Sequence, residues 1–291
     1  MEQTWFITGS SRGFGRTLVR AALGAGDRVA ATARRPEQLA DLVAEFGDRI
    51  RPIALDVTDP QAARAAVAEA HAHFGRIDVL VNNAGYANVS PIETTEDADF
   101  RAQFETNFWG VYHVTKAAIP LLREQQGGLV VQFSSMGGRV GGSPGIASYQ
   151  AAKFAIDGFS RVLRAETAPF GVKVLVVEPS GFRTDWAGSS MVVHDIPAAY
   201  DETVGAVNRR LRQNADGAGV AGDPVRAAEI LVRMAKRNDI PHHLPLGVNA
   251  AEGSIAMDRR LLADDTRWRE VSRSADFAEA YPVPFPPDAA N

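Results

Sequence analysis

Between residues 4 and 177, short uninterrupted apolar runs alternate with helix-patterned stretches, and few folds accept that order. Runs at 4–8, 28–33, 53–57, 77–81, 129–133 and 172–177 are predicted strands. They lack the in–out alternation of a half-solvated strand, so both faces of their sheet must be covered. Between them, Leu18, Val19, Ala22 and Leu23 follow a helical spacing. A second helix is predicted over 36–46 with proline in its first turn, and Asp59-Pro60 opens an alanine-rich third. Further helices are predicted over 96–104, 106–124 and 147–167, with a loop over 134–148. Such alternation needs right-handed crossovers. The expected architecture is α/β: one doubly wound parallel sheet of about seven strands with helices on both faces.

After Pro179 the pattern breaks. Residues 182–222 are predicted to be a long mobile insertion forming a substrate loop or lid. Asp223-Pro224 restarts a helix with Ala227, Ile230, Leu231 and Met234 on one face, and a last strand is expected over 242–248. Residues 250–291 form a C-terminal extension, partly helical, with an extended Pro282-Val283-Pro284-Phe285-Pro286-Pro287 tail. No repeat or linker divides the chain, so residues 1–291 are expected to form a single domain.

Composition narrows the function. A net charge of −4 supplies no basic field for nucleic acid. The absence of cysteine excludes disulfides and thiolate metal sites. His71, His73, His242 and His243 have no partners at ligand spacing, so no metal is expected. No apolar run approaches a membrane span, and Trp5-Phe6-Ile7-Thr8 follows the first residues without a leader pattern. A cytoplasmic protein without a membrane partner is expected.

Two landmarks carry chemistry. Tyr149 and Lys153 lie four residues apart on a predicted helix, so phenol and ammonium share a face. A neighbouring cation favours phenolate, so the tyrosine is expected to titrate below its ordinary range and to exchange protons with an alcohol or carbonyl oxygen. Many helices carry such a pair by chance; the second landmark gives it context. Thr8-Gly9-x-x-x-Gly13-x-Gly15, with Ser11, Arg12 and Phe14 inside it, joins the first strand to the first helix. Glycines there let backbone approach a dinucleotide pyrophosphate at a helix N-terminus, as in a Rossmann fold.

With these landmarks in order, the chain resembles the classical short-chain dehydrogenase/reductase family from the glycine loop to Thr184. The resemblance implies that Asp56 and Val57 contact adenine. Asn82-Asn83-Ala84-Gly85 is similar to the family's N-N-A-G, which steadies the sheet and brings Asn83, Ala84 and Gly85 to the cofactor. Asn107, Ser135, Tyr149 and Lys153 fall at the four catalytic positions. Pro179, Gly181 and Thr184 belong to a stretch resembling P-G-x-x-x-T, whose threonine contacts the nicotinamide carboxamide. Ser180 stands where the family has glycine, which adds a side chain near that ring. Ser134 adjoins Ser135; the latter better fits the separation from tyrosine, and the former is expected to bond backbone in the turn.

The second strand ends Ala33-Arg34-Arg35 rather than in an acid, and Arg12 lies in the loop. Guanidinium groups suit a 2′-phosphate, and a carboxylate repels one. NADP(H) is therefore expected rather than NAD(H). The implied reaction is hydride transfer between the cofactor and a ketone or aldehyde, with Tyr149 as general acid/base, Lys153 lowering its pKa and bonding the ribose, Ser135 donating to the substrate oxygen, and Asn107 holding a relay water. Met136, Val140, Phe182, Trp186, Met191 and Val192 are candidate pocket walls for an uncharged carbonyl substrate or its alcohol. The competing readings are a non-catalytic NADP(H)-sensing regulator or binding protein, and an epimerase or dehydratase of the extended branch. The resemblance also implies a homodimer or homotetramer through the helices at 106–124 and 147–167.

Overall fold

The computed structural model describes residues 2–184, 191–213 and 219–287. Seven strands form one parallel sheet: β1 (Thr4–Ile7), β2 (Arg28–Ala33), β3 (Ile50–Ala54), β4 (Val79–Asn82), β6 (Gly128–Phe133), β7 (Val172–Pro179) and β9 (His243–Leu246). Their order is β3-β2-β1-β4-β6-β7-β9, so the winding reverses between β1 and β4. Phe6 is level with Ala30 on one side and Leu80 on the other. The expected doubly wound fold is observed, as a single domain.

Strand geometry sends alternate side chains to opposite faces, and each face has its own core. Trp5 and Ile7 meet Leu18, Val19, Ala22 and Leu23 of α1 (Gly13–Gly24), with α2 (Ala40–Phe46) and α8 (Pro224–Ala235) beside them. Phe6 and Leu80 point the other way, to α3 (Pro60–Phe74), α5 (Gly110–Glu124) and α6 (Ala147–Thr167). Each fully buried Leu or Ile here contributes about 1.5–3 kcal/mol. The Asp59 and Asp223 side chains cap α3 and α8 by accepting from two backbone N–H groups each, with proline at the first helical position.

Three features depart from the sequence reading. The third strand lies at Ile50–Ala54, not 53–57, because an edge strand tolerates Pro52 and an outward Arg51 that interrupt the apolar run. A second, two-stranded parallel sheet joins β5 (Ala87–Val89) to β8 (Met191–Val193). Between α4 (Asp97–Phe104) and α5 the helix widens into a π turn, Glu105–Trp109. Phe182 and Gly222 form a bridge, and between them α7 (Ala206–Gln213) follows β8. After β9 comes α9 (Val248–Arg273), mostly exposed beyond its first turns.

Candidate active site

The glycine loop and the Asn82–Gly85 turn leave neighbouring strands where the winding reverses, the position at which open α/β sheets bind ligands. They are laced together. Asn83 Nδ2 donates to the Thr8 and Gly9 carbonyls at 2.9 and 3.2 Å. Thr8 Oγ1 accepts from the backbone N–H of Asn83 and Ala84 at 2.9 and 3.0 Å. A Cβ on Gly9 would lie 2.9 Å from Ala84 Cα, and one on Gly15 would lie 2.5 Å from Asn83 Nδ2. Deeper in the sheet, Asn82 Nδ2 donates to Gln132 Oε1 and Thr115 Oγ1, both at 2.9 Å.

The loop fits a pyrophosphate. Gly13 has φ +55°, and a Cβ there would meet only Thr184 Cβ, at 3.8 Å. No side chain caps α1, and its first turn holds no acid, so the helix N-terminus presents its partial positive charge to the cleft. Ser11 is half-buried beside it. The Phe14 ring turns inward, edge-on to Phe133 at 5.0 Å and to Phe182 at 5.4 Å, so Phe14 offers the cleft its backbone.

Arg12, Arg34 and Arg35 are exposed around the rim. Burial pushes the Tyr86 phenol up and Asp99 adds to this, while a Gln103 hydrogen bond and the Arg34 charge oppose it. Asp56 is also exposed, and its Oδ1 accepts from Thr58 N and Oγ1 at 3.0 and 2.8 Å. Val57 is buried, its carbonyl 3.2 Å from His113 Nδ1.

Ser135, Tyr149 and Lys153 come together. Tyr149 is hydrogen-bonded to Ser135, whose Oγ also accepts from Gly137 N at 3.0 Å. Lys153 Nζ lies 5.6 Å from the Tyr149 ring centre and donates to the Phe133 carbonyl at 2.7 Å. The adjacent serines divide: Ser134 Oγ donates to the Lys153 carbonyl at 3.1 Å, so it ties β6 to α6 rather than bonding within its own turn. Asn107, in the π turn, donates to the Tyr86 and Gln103 carbonyls, both at 3.0 Å, and accepts from Tyr86 N at 3.3 Å. Gly85 fits between these residues: a Cβ there would lie 2.5 Å from Asn107 Oδ1 and 3.7 Å from Lys153 Nζ.

The expected lowering of the tyrosine is reversed. Burial pushes Tyr149 up to about 12, the Ser135 hydrogen bond pulling the other way, and burial brings Lys153 down to about 8. The ammonium is engaged by the Phe133 carbonyl, and desolvation governs the phenol.

The 179–184 segment closes the cleft. Ser180 donates to the Leu246 carbonyl through N at 3.0 Å and Oγ at 3.3 Å, so its side chain turns to the end of β9. A Cβ on Gly181 would lie 2.9 Å from Val220 Cγ1. Over Tyr149 sits a small core of Ala87, Val89, Ile146 and Val204, with Met191 and Val193 against it. Of the candidate pocket residues, Met191 therefore packs against the core that holds the tyrosine, Val192 points out at 52% exposure, and Phe182 packs against Phe14 of the glycine loop. Trp186 lies outside the described residues.

The short chain dehydrogenase family model matches residues 3–191. The chain belongs to the short-chain dehydrogenase family. It is similar to an oxidoreductase of Botryotinia fuckeliana, 48% identical over 273 residues that cover 94% of this chain and 98% of the relative. A solved short-chain dehydrogenase from Streptomyces avermitilis superposes with a TM-score of 0.87 at 39% identity, covering 94% of this chain and 98% of that one. A serine dehydrogenase solved in complex with NADP+ superposes at 0.72 with 26% identity, covering 84% of this chain and 94% of that one.

This short-chain dehydrogenase is thus an oxidoreductase of a family that binds nicotinamide dinucleotides. No described helix is long and apolar enough to cross a membrane, and no metal-binding cluster exists among the described residues. A groove of about 570 Å³ between α3 and α5, lined by Arg64, His71, Tyr112 and Lys116 among others, touches none of Ser135, Tyr149 or Lys153. Sequence reasoning missed Glu178, a carboxylate 1% exposed near the end of β7, held by Arg139 and His243. Its signal was one acid closing an apolar run, because a buried charge needs partners.

Proposed function

We propose that this dehydrogenase uses NADP(H) to interconvert a ketone or aldehyde and the corresponding alcohol, with Tyr149 as the general acid/base. The observation that carries the reading is the Ser135–Tyr149 hydrogen bond beside a buried Lys153, below the glycine loop. The bound nicotinamide supplies hydride to the carbonyl carbon in reduction and accepts it in oxidation. Tyr149, kept neutral by burial, is in the acid form and hands its proton to the carbonyl oxygen as negative charge develops there. Ser135 donates a hydrogen bond to the same oxygen. The Lys153 ammonium stabilises the phenolate left behind and bonds the nicotinamide ribose. Asn107 holds a water through which Lys153 reaches solvent. In alcohol oxidation the protons run in reverse.

Gly9, Gly13, Gly15 and the backbone of Ser11, Arg12 and Phe14 would hold the pyrophosphate. Asp56 and Val57 would contact the adenine side, Asn83, Ala84, Gly85, Pro179 and Gly181 would line the cofactor site, and Thr184 would bond the carboxamide. Arg12, Arg34 and Arg35 bind the 2′-phosphate, a reading supported by arginines rather than an acid directly at the end of β2. The NADP+ held by the related serine dehydrogenase is consistent with it. The apolar cover over Tyr149 suits an uncharged, medium-sized substrate. The test is cofactor oxidation with a carbonyl panel. Turnover with NADPH and a lower Kd for NADPH than for NADH support the reading. Equal or tighter NADH binding overturns the cofactor choice, and preference for short carboxylated ketones overturns the substrate class.

A further inference from the structure

Helix α9 begins against the cofactor-side segment. A Cβ on Gly247, immediately before it, would lie 2.5 Å from Ser180 Oγ and 3.7 Å from Phe182 Cε2. Two turns later α9 meets the loop that follows Ser135: a Cβ on Gly253 would lie 3.7 Å from both Met136 Sδ and Val140 Cγ2. Between these contacts runs a chain of charges. Arg139 Nη1 lies 3.2 Å from Glu178 Oε2, and its Nη2 lies 2.7 Å from Asp258 Oδ2 on α9. The other Glu178 oxygen is 2.7 Å from His243 Nδ1, and His243 Nε2 is 3.2 Å from Asp157 Oδ1, one turn beyond Lys153 on α6. Asp157 Oδ2 accepts from Arg161 at 2.9 Å. The Glu178 side chain is 1% exposed, so these partners hold it, and one of them, Arg139, belongs to the 135–140 loop.

We propose that Arg139 is a positioning residue that bridges Glu178 to Asp258 and fastens α9 to the serine loop, making α9 a wall of the substrate cleft that limits substituent size. The claim rests on the carbonyl reading above. The Gly253 side of α9 then stands behind Met136 and Val140, and the wall yields when the clamp opens. Half of the clamp is accessible to gentle substitution, because Asp258 is 55% exposed and Glu178 keeps Arg139 when Asp258 changes.

The test uses the full chain with Asp258→Asn, Gly253→Leu and, as control, Glu69→Gln, which breaks the surface pair with Arg51. Hydrogen–deuterium exchange reads the clamp without chemistry. Asp258→Asn is expected to raise exchange at residues 136–142 several-fold and to leave the 147–167 helix unchanged; unchanged exchange at 136–142 overturns the clamp. A series of methyl ketones of increasing length, with NADPH, reads the wall. KM is expected to shift with chain length, by about tenfold at the long end for roughly 1.4 kcal/mol, in opposite senses for Asp258→Asn and Gly253→Leu, with kcat little changed. An equal loss for every ketone, matched by a fall in Tm, means a structural role only and overturns the wall. Wild-type inactivity on every ketone sinks the carbonyl reading and with it the role in substrate choice, while exchange still decides the clamp.

Discussion

Lys153 directs its ammonium at the Phe133 carbonyl, 2.7 Å away, and not at the phenol it shares a helix face with. The lysine is held by backbone, and burial brings it down to about 8 from its ordinary 10.5. A lowered lysine is a stability statement: the folded state disfavours the proton that the unfolded chain still binds. The contribution is fully present above 10.5 and is lost as pH falls through 8. Replacing the lysine with methionine removes it. Relative to Lys153→Met, the wild type is expected to gain about 2.5 kcal/mol of unfolding free energy between pH 7 and 10, read by urea titration. Tyr149 is common to both proteins and cancels.

The two serines have different partners and so predict different phenotypes. Ser134→Ala removes a buried bond to the Lys153 carbonyl and is expected to cost about 1 kcal/mol in stability with a modest loss of activity. Ser135→Ala removes the hydroxyl on Tyr149 and is expected to lower kcat about 100- to 1,000-fold with little change in Tm. Paired thermal melts and turnover numbers distinguish them.

Arg34 and Arg35 stand exposed where β2 ends. Replacing either with glutamate puts a carboxylate at the proposed 2′-phosphate site. Each charge-assisted bond lost removes about 1.5–3 kcal/mol. NADPH affinity is expected to fall about 10- to 100-fold, with NADH affinity nearly level, by fluorescence titration.

Gly15 faces Asn83 with no space for a methyl group. Gly15→Ala is expected to cost about 1–3 kcal/mol and to weaken cofactor binding, because the Gly9 carbonyl and the Asn83 side chain that holds it must both move. A melt with and without NADPH reads both effects.

The sheet order and the meeting of the glycine loop with Asn82–Gly85 were legible because both follow from backbone: apolar runs set the strands, and glycines mark where chains approach. The pairing of Tyr149 with Lys153 was legible for the same reason, since helical spacing fixes a shared face. The direction of the tyrosine's titration was not. It depends on how much of the fold covers the phenol, and much of that cover comes from residues distant in the chain, Ala87, Val89 and Val204. The partner of Ser180 was not legible either: the sequence shows a side chain added near the expected cofactor site, and its bond to the Leu246 carbonyl depends on where β9 ends. The β5–β8 pairing was invisible because three-residue strands lie below any periodicity.

The central claim is that the Tyr149 phenol is the proton donor beside the hydride acceptor. The most direct measurement compares wild type and Tyr149→Phe for NADPH oxidation with a ketone that the wild type reduces, alongside NADPH affinity for both. The expected result is a turnover about 100- to 10,000-fold lower with a cofactor Kd within a few-fold of wild type. Undiminished turnover in Tyr149→Phe contradicts the account.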